Sequence, residues 1–264
     1  MTMGKGGVGK TSIASAIALE LAGRGHRVQL TTTDPAARVD AWLANAVPGL
    51  QVSRIDPVAE TIAYREEVMA KAGQNLDAQG RTLLEEDLRS PCTEEIAVFR
   101  AFASKVGEGK DGFVVLDTAP TGHTLLLLDA AETYHREVSR TMSNMPESVR
   151  QLLPRLRDSA FTIIFIITLA EATPVHEAAQ LQDDLIRAQI RPFAWVINQT
   201  LTPLDVRDPL LVSKRGTEMA YINEVQRQHA SRVTLVPWIQ EAPSRTQWLR
   251  DLMDGERKEL NHDA

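Results

Sequence analysis

The octapeptide Gly4-Lys5-Gly6-Gly7-Val8-Gly9-Lys10-Thr11 constrains the fold of this chain more than any other stretch. Its pattern, G-x-x-x-x-G-K-T, belongs to a loop whose glycines let backbone N–H groups turn inward onto phosphate oxygens. Such a loop joins a buried β-strand to the N-terminus of a helix, and the positive helix end faces the anion. The helix is legible in residues 10–21 (KTSIASAIALEL), where Ile13, Ile17 and Leu21 recur at helical spacing before Gly23 and Gly25 end the run. The strand is hardly there, since only Met1, Thr2 and Met3 stand before the loop. A central buried strand is not dispensable, so the short lead predicts a truncated first strand and a cut or misplaced start.

A glycine turn that merely connected a strand to a helix would not call for Lys10 and Thr11. Lysine at that place brings a point charge to β and γ phosphates, and the threonine hydroxyl suits Mg²⁺. Gly4, Gly6, Gly7, Val8, Gly9, Lys10, Thr11 and Ser12 are therefore the expected nucleotide cradle. Lys5 is a second lysine in the same loop; on its own it reads equally as a solvated surface charge.

Downstream, strand and helix patterns alternate. Strands are expected at 26–33, 52–55, 112–117, 161–168, 193–198 and 232–236, and helices at 174–188, 216–230 and 244–253. That alternation predicts a mostly parallel sheet with helices on both faces. Residues 59–106 and 125–158 are helical and too long for simple crossovers. They are expected to form an inserted helical subdomain within one nucleotide-binding domain spanning 1–264.

Composition removes several classes of function. A net charge of -6 and a pI near 5.6 give no sign of a nucleic-acid surface. The longest apolar run, residues 161–169 (FTIIFIITL), is far below the ~20 residues of a membrane span. A single cysteine, Cys92, excludes an intrachain disulfide and fits a reducing compartment. A cytoplasmic α/β protein is expected.

Two acids end strands. Asp117 closes the apolar run GFVVLD, where a carboxylate facing the loop can hold Mg²⁺ or its water shell. Asp34 follows the second strand, before Pro35, placed to orient an attacking water. Either acid also reads as a cap or turn residue.

Together these segments resemble a known family. KGGVGKT is similar to the deviant phosphate loop of dimeric ATPases, in which the early lysine reaches across the dimer to the partner's nucleotide. TTDPA (32–36), DTAPTGHTLLLLD (117–129), LAEATPVHEAAQLQDDL (169–185) and FAWVINQ (193–199) resemble the ArsA family over essentially the whole chain. That family comprises arsenite-pump ATPases and ATPases that target tail-anchored proteins. The resemblance implies a P-loop NTPase fold, ATP and Mg²⁺ as ligands, and a nucleotide sandwich dimer with Lys5 acting in trans. It also puts Asp34 in switch I, Asp117 and Gly122 in switch II, Asn198 on adenine, and VPWIQEAP (236–243) beside the ring.

Ser90-Pro91-Cys92 starts a helix by its own chemistry, with serine at the cap and proline in the first turn. A thiol there feels the positive helix end, which favours thiolate and hence a soft metalloid, although Glu94 and Glu95 oppose it. The plain alternative is a small buried hydrophobe. In the two-half pumps, the second half carries Ser-x-Cys and a switch histidine as metalloid ligands. Ser90, Cys92 and His123 match those positions, so the resemblance implies As(III) or Sb(III) ligands in a C-terminal half. His123 reads as a ligand, as a switch residue, or as both. One thiol per chain falls short of the three-thiolate coordination As(III) favours, so a full site needs another chain or half.

The function implied is ATP hydrolysis that energises arsenite or antimonite efflux through a membrane permease. The expected partners are a second half or homodimer partner, the permease, which would hold the protein at the inner membrane, and a metallochaperone. The alternative is a chaperone for tail-anchored proteins, its groove lined by Met142, Met145, Leu152, Leu153 and Leu156. The zinc-clasp C-x-x-C of the eukaryotic targeting ATPases is missing from the sequence. A nitrogenase-type iron protein would need two cysteines, and a Min-type ATPase a basic amphipathic tail.

Overall fold

A computed structural model describes residues 1–34, 43, 46–110, 112–119, 146–239 and 244–259. Its strands are β1 (Thr2–Met3), β2 (Val28–Thr32), β3 (Leu50–Arg54), β4 (Phe113–Asp117), β5 (Phe165–Leu169), β6 (Ala194–Thr200) and β7 (Val233–Pro237). They form one sheet in the order β3-β2-β4-β1-β5-β6-β7, and every pairing is parallel. The helices are α1 (Lys10–Gly23), α2 (Pro57–Ala72), α3 (Ala78–Asp87), α4 (Pro91–Gly107), α5 (Glu147–Arg150), α6 (Leu152–Arg157), α7 (Ala172–Arg187), α8 (Pro209–Glu224) and α9 (Arg245–Glu259). Parallel strands need crossovers, and a sheet flanked by crossover helices is apolar on both sides.

Period-two alternation assigns neighbouring residues to opposite layers. Val115, Ile167 and Val196 pack with Ile13 and Leu19 of α1 and Leu249 and Leu252 of α9. Leu116, Ile166 and Ile197, one position along each strand, pack with Phe99 and Phe102 of α4, Leu152 of α6 and Leu181 of α7. Each such side chain contributes roughly 1.5–3 kcal/mol by leaving water. These layers fix the central strands and hence the loops at their carboxyl ends.

The strand that leads into the phosphate loop is only two residues long, yet it occupies the middle of the sheet. Thr2 faces Asp117 on one side and Phe165 on the other. Met1 extends the ladder beside β5: its amine donates to Ile163 O at 2.6 Å and its carbonyl accepts from Phe165 N at 2.9 Å.

Most boundaries shift by a residue or two, and two starts shift further. β5 starts at Phe165, not at 161, because Phe161 N and Thr162 N both donate to Asp158 O and close a turn first. α8 starts at Pro209, not at 216. Asp208 caps it by accepting from Leu210 N and Leu211 N, and Pro209 occupies the first turn. Periodicity missed this turn because Leu210, Leu211 and Val212 are exposed and carry no core stripe.

Between β3 and β4 the chain makes α2, α3 and α4. Phe99, Phe102, Ala103 and Val106 give α4 an i, i+3, i+4, i+7 face that enters the core. α2 buries only Thr61 and is tied to α4 by Arg100, which pairs with Glu67 at 2.9 Å and lies 5.0 Å over the Tyr64 ring. Of the second helical stretch, α5 and α6 lie among the described residues. Leu152 and Leu156 are buried in the core and Leu153 packs against it, so they do not line an exposed groove as the chaperone reading expected. Met142 and Met145 lie outside the described residues.

Candidate nucleotide-binding site

β1 hands the chain to the loop through Gly4, whose φ is +146°; a Cβ there would stand 2.2 Å from Ile167 O. At the far end Gly9 has φ +95°, and its Cβ would meet Asn198 Nδ2 at 2.2 Å. No side chain fits at either place. Gly9 is also the N-cap of α1 and makes no side-chain cap bond, so the first-turn N–H groups lack intrahelical partners and present a positive helix end to the loop. Gly6 and Gly7 are exposed, Val8 is buried in the α1 layer, and Ser12 is half-buried in the first turn.

Lys10 is only 5% exposed, and its Nζ donates to Lys5 O at 2.9 Å. Burial pulls its pKa below the usual lysine value, while the charges of Asp117 and Asp34 work the other way. Asp117 ends β4 at 0% exposure. Its Oδ2 accepts from Thr11 Oγ1 at 2.8 Å and Thr32 Oγ1 at 3.0 Å; its Oδ1 has no partner among the described residues. Burial raises the pKa of Asp117 above the ordinary carboxylate range; the two hydroxyls and Lys10 oppose the rise, and Asp34 adds to it. The backbone N–H of Asp34 donates to Thr32 Oγ1 at 3.1 Å, which keeps Asp34 within electrostatic reach of both.

A buried carboxylate oxygen without a partner, beside a threonine hydroxyl, suits a hard cation that takes oxygen ligands. Thr11 and Asp117 fit Mg²⁺ on that ground. The loop, the helix end and Lys10 together can hold a polyphosphate. Asn198 adjoins them: it is 5% exposed, and its Nδ2 donates to Val8 O at 3.0 Å.

Lys5 points elsewhere. Its Nζ lies 2.7 Å from Glu177 Oε1 on α7. Neither Glu177 nor Thr32 emerged from the sequence as a site residue. A hydroxyl two positions before Asp34 was the only signal for Thr32, and nothing local marks Glu177.

Ser90 caps α4 with extended backbone, but its Oγ pairs with Thr93 Oγ1 at 3.3 Å and makes no cap bond. Cys92 is exposed, so the reading as a buried hydrophobe does not hold; Thr93 is the buried neighbour. Gly122 and His123 lie outside the described residues. Among the described residues no three His, Cys, Asp or Glu side chains cluster to hold a metal ion.

A parallel sheet with a phosphate loop after its central strand and a buried acid ending the next strand defines a P-loop nucleoside triphosphatase domain. The family model of the anion-transporting ATPases (ArsA ATPases) matches residues 1–145 and 127–242. An arsenical pump-driving ATPase of Acidiphilium multivorum is 51% identical over 96% of this chain and 43% of its own length. Two proteins of that name from Escherichia coli are 52% and 50% identical, with the same coverage. The chain belongs to the anion-transporting ATPase family. It spans less than half the length of these relatives.

Proposed function

We propose that this chain is an ATP-hydrolysing subunit, or one half of a tandem ATPase, that energises efflux of arsenite or antimonite through a membrane permease. The observation that carries the reading is the Oδ1 of Asp117, without a partner among the described residues, beside Thr11 and Lys10. The names of its half-identical relatives support the choice of cargo.

The chemistry follows from the residues. Gly4 to Ser12 hold the polyphosphate through backbone N–H groups, and Lys10 neutralises charge on its β and γ oxygens. Mg²⁺ held by Thr11 and Asp117 supplies further neutralisation of that charge. Asp34 orients the attacking water. Lys5 leaves Glu177 and reaches the nucleotide of a partner half or second copy, as trans-acting cations do in related ATPases, where they contribute about 10³–10⁵ in rate. Asn198 and residues 236–243 contact the adenine. Ser90, Cys92 and His123 supply part of a soft-metalloid site that a second half completes, in the manner of a C-terminal half. The protein works in the cytoplasm and sits at the inner membrane when bound to its permease; a metallochaperone is the natural donor of cargo.

The test is ATP hydrolysis by the full-length protein with Mg²⁺, with and without micromolar antimonite, alongside Cys92→Ser. Stimulation that Cys92→Ser loses is the expected result. A rate that antimonite leaves unchanged overturns the pump reading.

A further inference from the structure

We infer that Glu218 of α8 is a positioning residue for nucleobase recognition: it sets the bulged backbone at the carboxyl end of β6 from which Asn198 and Gln199 meet the nucleoside. The inference rests on the reading of Asn198 as an adenine contact.

β6 and β7 stay in register through Ile197, which faces Leu235, and the pairing then shifts so that Thr200 faces Pro237. The shifted interval holds Asn198 and Gln199; Gln199 is exposed and has φ +55° in the left-handed region that non-glycine residues seldom adopt. Bulges of this kind re-aim side chains, and strained backbone persists only where the surroundings hold it.

Glu218 is that hold. It is 3% exposed, and one carboxylate oxygen, Oε2, accepts from Leu201 N at 2.8 Å, Thr202 N at 3.2 Å and Thr202 Oγ1 at 3.3 Å. Arg215, one turn earlier on α8, adds a bond from Nη1 to Leu204 O at 3.1 Å. On the β7 side, Trp238 N donates to Thr200 O at 2.9 Å, and Trp238 is exposed. On the other side of the bulge, Asn198 Nδ2 is bonded to Val8 O and abuts Gly9. A direct chain of contacts thus runs from Glu218 through 201–199 to Asn198 and the phosphate loop. No other buried acid among the described residues is spent on main-chain N–H groups beside the site. Without this acceptor the buried Leu201 N–H is orphaned and Gln199 has reason to relax.

Binding of Mg·ATP, Mg·GTP and inorganic tripolyphosphate to the full chain separates positioning from general support. Glu218→Met keeps length and removes the acceptor. It is expected to weaken ATP about tenfold and erase the ATP-over-GTP preference, yet leave tripolyphosphate within about twofold. Glu218→Gln, which keeps one acceptor oxygen, is expected to restore most of the preference. Should Glu218→Met fail to fold, the Gln variant carries the test alone, with a partial loss of ATP preference and unchanged tripolyphosphate. Equal weakening of ATP and tripolyphosphate, or no change in either, overturns the inference. Asn198→Ala is measured in parallel: if it keeps the preference that Glu218→Met loses, the adenine role of Asn198 fails while that of Glu218 stands.

Discussion

At Asp117, local chemistry favours function over stability. An acid whose pKa is raised by burial binds its proton more tightly in the folded than in the unfolded chain. Its contribution is therefore neutral in strong acid and becomes destabilising as pH rises from the ordinary carboxylate value through the folded one. Asp117→Asn removes that burden. In buffer without nucleotide or Mg²⁺, its melting temperature is expected to exceed the parent's, with a margin that grows from pH 4 to pH 7. Mg²⁺-dependent hydrolysis is expected to fall at least about 100-fold, since the cation loses its ligand. Gly9 shows the steric counterpart. Gly9→Ala strains φ and collides with Asn198, and should destabilise by about 1–3 kcal/mol in denaturant titration and weaken ATP binding. Gly23→Ala, where a Cβ meets nothing within 4 Å and φ is not left-handed, is the matched control and should be neutral or stabilising by up to about 1 kcal/mol.

At the scale of elements, α4 is both a core helix and the anchor for α2. Phe102→Ala on its core face should lose about 3–5 kcal/mol in denaturant titration. On the opposite face the α2 contact is electrostatic and shallow. The pKa of Glu67 is depressed, first by the hydrogen bond from Lys71; burial opposes this, and the charge and hydrogen bond of Arg100 add to the depression. The sign is the reverse of that at Asp117: the stabilisation is present above the ordinary carboxylate pKa and lost as pH falls through the folded value. Glu67→Gln should thus lower the melting temperature slightly at pH 7 and converge with the parent in strong acid. The α8 cap is a separate lever. Asp208→Ala should destabilise by about 1 kcal/mol and leave Glu218 in place.

For the whole molecule, the question is what a second copy or half contributes. Lys5 is paired with Glu177 within its own chain. If it serves a partner's nucleotide, specific activity should rise with protein concentration, and Lys5→Ala should flatten that rise while ATP binding at low concentration stays near the parent's. A rate per molecule that is independent of concentration would remove the trans role. None of the described helices is long and apolar enough to cross a membrane.

Much of this was legible in the sequence because the determinants are local. The loop, α1, the strand-helix alternation and Asp117 are written in contiguous residues whose steric and periodic demands need no knowledge of the rest. Cys92 at the start of α4 follows from Ser90 and Pro91 alone. What local chemistry could not supply was whatever two distant segments decide together. The sequence did not disclose that Leu152 and Leu156 face the core, because an amphipathic stretch does not name the surface it covers. Nor did it mark Thr32, Glu177 and Glu218, whose roles exist only when β2 reaches β4, α7 reaches the loop, and α8 reaches the turn after β6. The sequence by itself determined a phosphate-binding α/β domain; the tertiary structure decided which carboxylates are buried and which hydrogen bonds they accept, because burial and long-range contacts arise only when the layers close.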